Sequence, residues 1–178
     1  MLQECSMFSV ADVFFTEPTK QHYLMEISQK AGLAHTSVKK HLERMKETGL
    51  IKEASEKKGK RKFPIYTANL ENPKYKEYKR ALNLLKLEES GLLRYLKDKL
   101  MPKSIVLFGS YSRGEDIEDS DIDIFAECKK NELDLSKFEK QVKRKIELHF
   151  KEKFKEYPAE LKNNIINGIV LSGYLEAF

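Results

Sequence analysis

The stretch 104–124 constrains the fold of this chain more than any other part. It begins with the apolar run 105–108, which lacks polar alternation and is too short for a helix, so it predicts a strand buried on both faces. Gly109 ends the run. A Gly-Ser pair at this point lets backbone N–H groups approach an anion closely, and the Ser110 hydroxyl adds a donor. The pattern predicts one half of a phosphate-binding site.

A pair of carboxylates supplies the other half. Asp121 and Asp123 alternate with isoleucines, which predicts a second strand with both aspartates on the same face. Two adjacent carboxylates repel each other unless a cation lies between them. Because oxygen ligands of this kind suit Mg²⁺ that bridges substrate phosphates, we expect a magnesium and nucleotide site here.

The same stretch contains three motifs in order, Gly109-Ser110, Arg113-Gly114 and Ser120-Asp121-Ile122-Asp123-Ile124. Together they resemble the signature of the minimal nucleotidyltransferases of the DNA polymerase beta superfamily. The resemblance covers roughly residues 92–174 and implies an α/β domain with a small mixed sheet and helices on one side. It also implies that Gly109 and Ser110 bind the phosphates of a nucleoside triphosphate, with ATP the first candidate, and that Asp121 and Asp123 chelate Mg²⁺.

Further candidates for this site surround the signature. The superfamily uses a third carboxylate on a neighbouring strand, and Glu147 is the only acid in the predicted strand 145–150. We assign it as a metal ligand and as the base for the attacking hydroxyl; a surface glutamate on an edge strand is the alternative. His149 shares its face by alternation, and a partly buried sheet residue is the favoured interpretation. Arg113 contacts either phosphate or the acids Glu115 and Asp116.

Length and composition allow two small domains. The chain has 178 residues, of which 34% are charged, and a net charge of +5, which suits a nucleotide or nucleic-acid partner. Cys5 and Cys128 lie far apart, so neither a disulfide framework nor a zinc site is indicated. No apolar run reaches the length of a membrane span and no signal-peptide pattern begins the chain. We therefore expect a cytoplasmic protein without membrane contact.

The N-terminal part has the pattern of a winged helix-turn-helix domain. Three helices are predicted over residues 6–15, about 21–31 and 35–48. Two strands follow at 51–54 and 63–67, joined by a basic loop that would form the wing. The segment 37–51 resembles the recognition helix of prokaryotic winged helix-turn-helix regulators. The structural alternative is a small helical adaptor with a solvated basic loop.

A winged helix implies DNA as a partner, and the polar and basic residues of the third helix and the wing are the expected contacts. They are Thr36, Ser37, Lys39, Lys40, Arg44, Lys57, Lys58, Lys60, Arg61 and Lys62.

A linker helix follows, because Asn72-Pro73 is a typical helix start and Ser90-Gly91 a break. The apolar stripe along it either packs on the chain itself or pairs with a second copy in a homodimer; its members are Tyr75, Tyr78, Leu82 and Leu85. We therefore expect an α+β chain with a winged helix-turn-helix domain at 1–70, the linker helix at 71–90 and a nucleotidyltransferase domain at 91–178.

The function expected from these features is Mg²⁺-dependent transfer of a nucleotidyl group from a nucleoside triphosphate to an acceptor hydroxyl, coupled to DNA binding. Small members of the resembled family act as antitoxins that modify a partner toxin, so a toxin protein is the first candidate acceptor. The alternative is a DNA-binding transcriptional regulator or antitoxin whose nucleotidyltransferase domain binds nucleotide or partner without turnover.

Overall fold

The chain divides into two compact units. The computed structural model describes residues 5–176, apart from the side chain of Lys58. One unit extends to Lys79 and the other begins at Arg80, so the helix Pro73–Ser90 contributes to both. The finer division at residues 70 and 90 stays a prediction. Within the described residues, no helix is both long and apolar enough to cross a membrane.

The first unit combines helices with a three-stranded antiparallel sheet in which the strand Arg61–Ala68 (β3) lies between Gln21–Tyr23 (β1) and Ile51–Lys58 (β2). The third helix buries Val38, Leu42 and Met45 at helical spacing, as predicted, and Gly32 ends the second helix in the left-handed conformation that favours glycine. In chain order the elements are α1 Ser6–Thr16, β1 Gln21–Tyr23, α2 Leu24–Ala31, α3 His35–Glu47, β2 Ile51–Lys58, β3 Arg61–Ala68 and α4 Pro73–Ser90.

Residues 21–23 form a strand rather than the first turn of the second helix, so that part of the predicted helix is wrong. His22 lies opposite Tyr66 of β3, is fully buried and contacts Phe14 edge-on with ring centroids 5.3 Å apart. Pairing with β3 satisfies the backbone of this segment, and the helix starts only at Leu24. The sequence pattern could not show this, because the strand partner is distant in sequence.

The hairpin of β2 and β3 is longer than predicted. Ladder pairing continues from Ile51 opposite Ala68 to Lys58 opposite Arg61, through most of the segment predicted as a basic loop. Gly59 then makes the tight turn with a positive φ of 62°, which a glycine adopts without strain. Much of the predicted basic loop is therefore a two-stranded ribbon with a short tip.

Part of the apolar stripe on α4 packs against other residues of the same chain. Tyr75 is 1% exposed, donates a hydrogen bond of 2.7 Å to the Phe14 carbonyl oxygen and packs edge-on against Phe15. Leu82 is also buried, whereas Tyr78 is 54% exposed. A homodimer seam that uses all four stripe residues is therefore wrong, because two of them are already covered by their own chain.

The second unit contains a four-stranded sheet whose strands lie in the order Ile146–Lys151 (β6), Ile122–Glu127 (β5), Ser104–Phe108 (β4) and Ile169–Gly173 (β7). Strands β5 and β6 are parallel and the other neighbours antiparallel, so the predicted small mixed sheet is confirmed. The elements are α5 Leu92–Leu100, β4 Ser104–Phe108, α6 Gly109–Arg113, β5 Ile122–Glu127, α7 Ser136–Val142, β6 Ile146–Lys151, a 3₁₀ helix Phe154–Glu156, α8 Ala159–Ile166 and β7 Ile169–Gly173.

Both faces of this sheet are covered. Ile105 and Leu107 belong to an apolar cluster with residues of α5 and α7, whereas Val106 and Phe108 pack with Phe154 and Ile165 on the other face. The implied arrangement with helices on one side is therefore wrong. Central strands with apolar residues on both faces require cover on both.

A buried polar network fixes the segment between α6 and β5. Asn83 Nδ2 donates to Asp116 Oδ1 at 2.9 Å and to the Tyr111 carbonyl oxygen at 3.0 Å. Arg144 Nη2 lies 3.4 Å from Asp116 Oδ2, and both charged groups are buried. Asn83 of α4 and Arg144, which precedes β6, therefore converge on one carboxylate.

Loss of the Asp116 carboxylate should lower the stability of the second unit. We expect Asp116→Ala to lower the free energy of unfolding by about 3–5 kcal/mol, because it removes one partner of a buried ion pair. The control is Glu115→Ala, which removes the exposed Arg113–Glu115 pair and should cost less than about 1 kcal/mol. Urea denaturation measures both. Equal small losses would show that the buried network does not stabilise the unit.

Candidate active site

The turn at Gly109 brings the backbone against a carboxylate. Phe108 is the register partner of Asp123, and Gly109 follows with a φ of +73°. A Cβ added at Gly109 would overlap Asp123 Oδ2. The Gly-Ser motif and the second aspartate of the signature, which are separate in sequence, thus meet at the end of β4.

The parallel pairing of β5 and β6 adds a second carboxylate and an imidazole. Asp123 lies directly opposite Glu147 in register. His149 Nε2 lies 3.4 Å from Asp123 Oδ1 and 3.8 Å from Glu147 Oε1. One donor atom from each of the three residues lies within 4.8 Å of the others. We call Asp123, Glu147 and His149 the donor triad.

The charges of the donor triad are coupled. The hydrogen-bonding contact with Asp123 raises the pKa of His149 above its usual range, although burial acts in the opposite direction, and the charge of Glu147 adds to the increase. The His149 ring packs against Phe108 with centroids 5.1 Å apart. The side chain of Glu147 is mostly exposed, so the triad opens to solvent on the Glu147 side.

Asp121 lies outside the donor triad. Strand β5 begins at Ile122, so Asp121 lies one residue before it. Asp121 is exposed and borders an open cleft of about 640 Å³ whose other lining residues include Lys140, Lys143 and Lys145. Its assignment as a metal ligand stays a prediction.

The other predicted nucleotide contacts lie on the short helix α6. Ser110 is partly exposed, and its carbonyl oxygen accepts a hydrogen bond from the Glu115 backbone at 3.0 Å. Arg113 Nε donates to Glu115 Oε2 at 2.8 Å, which is one of the two alternatives left open for this arginine. Phosphate binding by Gly109, Ser110 and Arg113 stays a prediction.

The predicted DNA contacts lie on two surfaces of the first unit. Those on α3 are exposed, opposite its buried face: Thr36, Ser37, Lys39, Lys40 and Arg44. Those on the hairpin whose side chains are described are exposed too: Lys57, Lys60, Arg61 and Lys62. Lys58 was also predicted, but its side chain lies outside the described residues. Their DNA contacts stay predictions.

The donor triad fits a divalent cation. It offers two carboxylates and one imidazole, and such groups are ordinary metal ligands in proteins. The glycine at 109 leaves room beside Asp123 that a side chain would fill. Asp123, Glu147 and His149 therefore form a group that could hold an ion.

His149 is a partly buried residue of β6, as favoured from the sequence, but its contact with Asp123 was not predicted. Strand alternation placed it on the same face as Glu147, but a partly buried sheet residue was favoured, because a period-two pattern does not give the distance to a neighbouring strand. The contact with Asp123 depends on parallel pairing of β5 with β6, which only the tertiary fold provides. The one available signal was the alternation of Glu147 and His149 in a strand of the right length.

The close approach of Gly109 to the Asp123 carboxylate can be tested by substitution. We expect Gly109→Ala to displace the Asp123 carboxylate and to lower divalent-ion affinity at least about tenfold, since loss of support around a ligand typically costs 10–100-fold. Gly91→Ala is the matched control, because Gly91 has a similar φ of +76° and open space around its Cβ position. Both variants should lose about 1–2 kcal/mol of stability. Isothermal titration calorimetry with Mn²⁺ measures the affinity of each variant. Equal affinities of the two variants would contradict the role of Gly109 in positioning Asp123.

Part of the chain is similar to known proteins. Residues 89–171 match the family model of the nucleotidyltransferase domain. A stretch of 38 residues is 60% identical to a protein of Methanocaldococcus jannaschii whose name describes it as a candidate protein adenylyltransferase. This stretch is 21% of the chain and spans 38% of that relative's length. No solved structure matched the chain. The predicted nucleotidyltransferase domain is confirmed for the part of the chain that the family model covers.

Proposed function

We propose that the second unit transfers a nucleotidyl group from a nucleoside triphosphate, ATP in the first instance, to an acceptor hydroxyl. The observation that carries this proposal is the register of Asp123 opposite Glu147 on parallel strands, with the Gly109 turn against the Asp123 carboxylate. The match of residues 89–171 to nucleotidyltransferase domains supports it.

The proposed reaction is an in-line displacement. The acceptor oxygen forms a bond to the α-phosphorus, and the bond from that phosphorus to the bridging oxygen breaks. Pyrophosphate leaves with the electron pair, and the proton of the acceptor hydroxyl goes to Glu147. Gly109, Ser110 and Arg113 bind the phosphates in this proposal. In this proposal Asp121, Asp123 and Glu147 would hold the divalent metal, Mg²⁺ in our assignment, and the bound metal would neutralise phosphate charge.

The acceptor in this proposal is a hydroxyl side chain of a protein. The name of the Methanocaldococcus jannaschii relative specifies a protein as the group that is modified. A partner toxin remains the first candidate, with this chain as its antitoxin.

We further propose that the first unit is a winged helix that binds DNA, which would allow the protein to regulate its own operon. Support comes from the exposed polar and basic face of α3 and from the hairpin that extends to Lys58 and Arg61. The basic residues would neutralise phosphates, whereas α3 would read the bases.

A second candidate function is regulation by nucleotide or partner binding without turnover. The observation that favours it is the position of Asp121 outside the donor triad, since the family signature implies two aspartates at the metal. Measurement of transfer discriminates the two: tight nucleotide binding without covalent label on any acceptor would favour the regulator.

Substitution of the triad carboxylates tests the enzyme. Asp123→Asn keeps size but removes charge, so we expect nucleotidyl transfer to fall by on the order of a thousandfold, equivalent to several kcal/mol of transition-state stabilisation. Glu147→Gln should cripple turnover but leave much of the triphosphate affinity. The readout is covalent label from labelled nucleoside triphosphate on the chain itself or on the product of the neighbouring gene. Asp98→Asn, an exposed helix position, is the control; label that persists in Asp123→Asn would rule out this active site.

The winged helix proposal predicts a steep salt dependence of DNA binding. Lys60→Gln together with Lys62→Gln should weaken binding to every duplex and flatten the slope of log affinity against log salt by about two units, because each phosphate contact contributes about 0.9. Lys97→Gln with Lys99→Gln, two exposed changes on α5, is the matched control. Fluorescence anisotropy at several salt concentrations provides the slopes. An equal effect of both pairs would exclude the wing as the contact.

A further inference from the structure

We infer that His149 is a nitrogen ligand of the metal at the active site, which makes the preference of this site for Mn²⁺ over Mg²⁺ stronger than that of an all-oxygen site. The inference rests on the proposed function, because it concerns the same ion. It replaces a purely carboxylate centre by the mixed donor triad Asp123, Glu147 and His149.

The distances in the triad suit ligands of a shared ion, and the His149–Asp123 contact is long for a hydrogen bond. An N–H···O bond usually spans about 2.7–3.2 Å, whereas His149 Nε2 lies 3.4 Å from Asp123 Oδ1 and 3.8 Å from Glu147 Oε1. An ion with bonds of about 2.1 Å holds two ligand atoms up to about 4.2 Å apart. Both distances fall within that span.

The imidazole is held in place by its surroundings. Its side chain is 22% exposed, and the ring meets Phe108 edge-on, at an interplanar angle of 60°. The strand register places it opposite Phe125, one of the buried residues of β5. A ring restricted in this way loses little further conformational freedom when it binds an ion.

The nitrogen donor explains the expected ion preference. Mg²⁺ favours oxygen ligands, demands near-ideal geometry and gives up its water reluctantly. Transition metals accept imidazole more readily. A site with one imidazole beside two carboxylates therefore loses more Mn²⁺ affinity than Mg²⁺ affinity when the nitrogen is removed.

A second group of similar composition must be separated from the triad in any measurement. Glu17, His22 and Glu26 also lie within 4.8 Å of one another. The Lys30 ammonium contacts both of these carboxylates, so a cation already neutralises them. Any ion that bound there would have to compete with this lysine.

Mn²⁺ binding to the full chain tests the inference. Pulsed electron paramagnetic resonance detects a directly bound ¹⁴N nucleus, and continuous-wave spectra measure free Mn²⁺. We expect the wild type to show nitrogen coupling, and His149→Gln to lose it along with at least about tenfold in Mn²⁺ affinity, as for disrupted metal sites. Mg²⁺ affinity, measured by competition, should change by a smaller factor. His149→Asp should restore Mn²⁺ binding without nitrogen coupling.

Two controls make the outcome decisive. Glu26→Gln disrupts the other group and should leave both the coupling and the affinity unchanged. Nitrogen coupling that persists in His149→Gln, or that disappears in Glu26→Gln, would overturn the inference. The transfer assay separates this result from the proposed function: transfer that depends on Asp123 without nitrogen coupling in the wild type refutes only the role of His149, whereas coupling without transfer refutes only the enzyme.

Discussion

The complete burial of strand β4 is the constraint on which the second unit depends. All five residues from Ser104 to Phe108 are buried, so this strand needs a neighbour on each edge and apolar cover on each face. Strands β5 and β7 supply the edges, and the two apolar clusters supply the cover. The chain leaves this core at Gly109, where the backbone turns directly beside Asp123. The candidate site thus lies at the end of a strand that is buried along its whole length.

Much of this arrangement could be predicted from local sequence. The run 105–108 favoured a buried strand, and the alternation around Asp123 predicted its neighbour. Glu147 was placed correctly on a strand of its own, and the pattern of Val38, Leu42 and Met45 predicted the third helix. These features could be predicted because they depend on the spacing of apolar residues and on the positions of glycines, which are both visible within a few residues of the sequence.

The features that could not be predicted depend on contacts distant in sequence. Residues 21–23 became a strand because β3 was available to pair with them, and the second layer over the sheet comes from Phe154 and Ile165 near the end of the chain. Strand β5 begins at Ile122, one residue after Asp121, where the Ile122 N–H donates to the Lys145 carbonyl oxygen. The proximity of His149 to Asp123 arises from a parallel register, on which local patterns carry no information.

The same parallel register determines which changes in chain length the site could tolerate during evolution. A strand repeats every two residues, so deletion of a single residue within β6 would turn Glu147 and His149 to the opposite face and bring Leu148 in their place. Insertions between β5 and α7, in the exposed segment around Lys130, would leave that pairing intact. Related chains that retain a metal site should therefore vary in the length of this connection and hold the length of the strands constant.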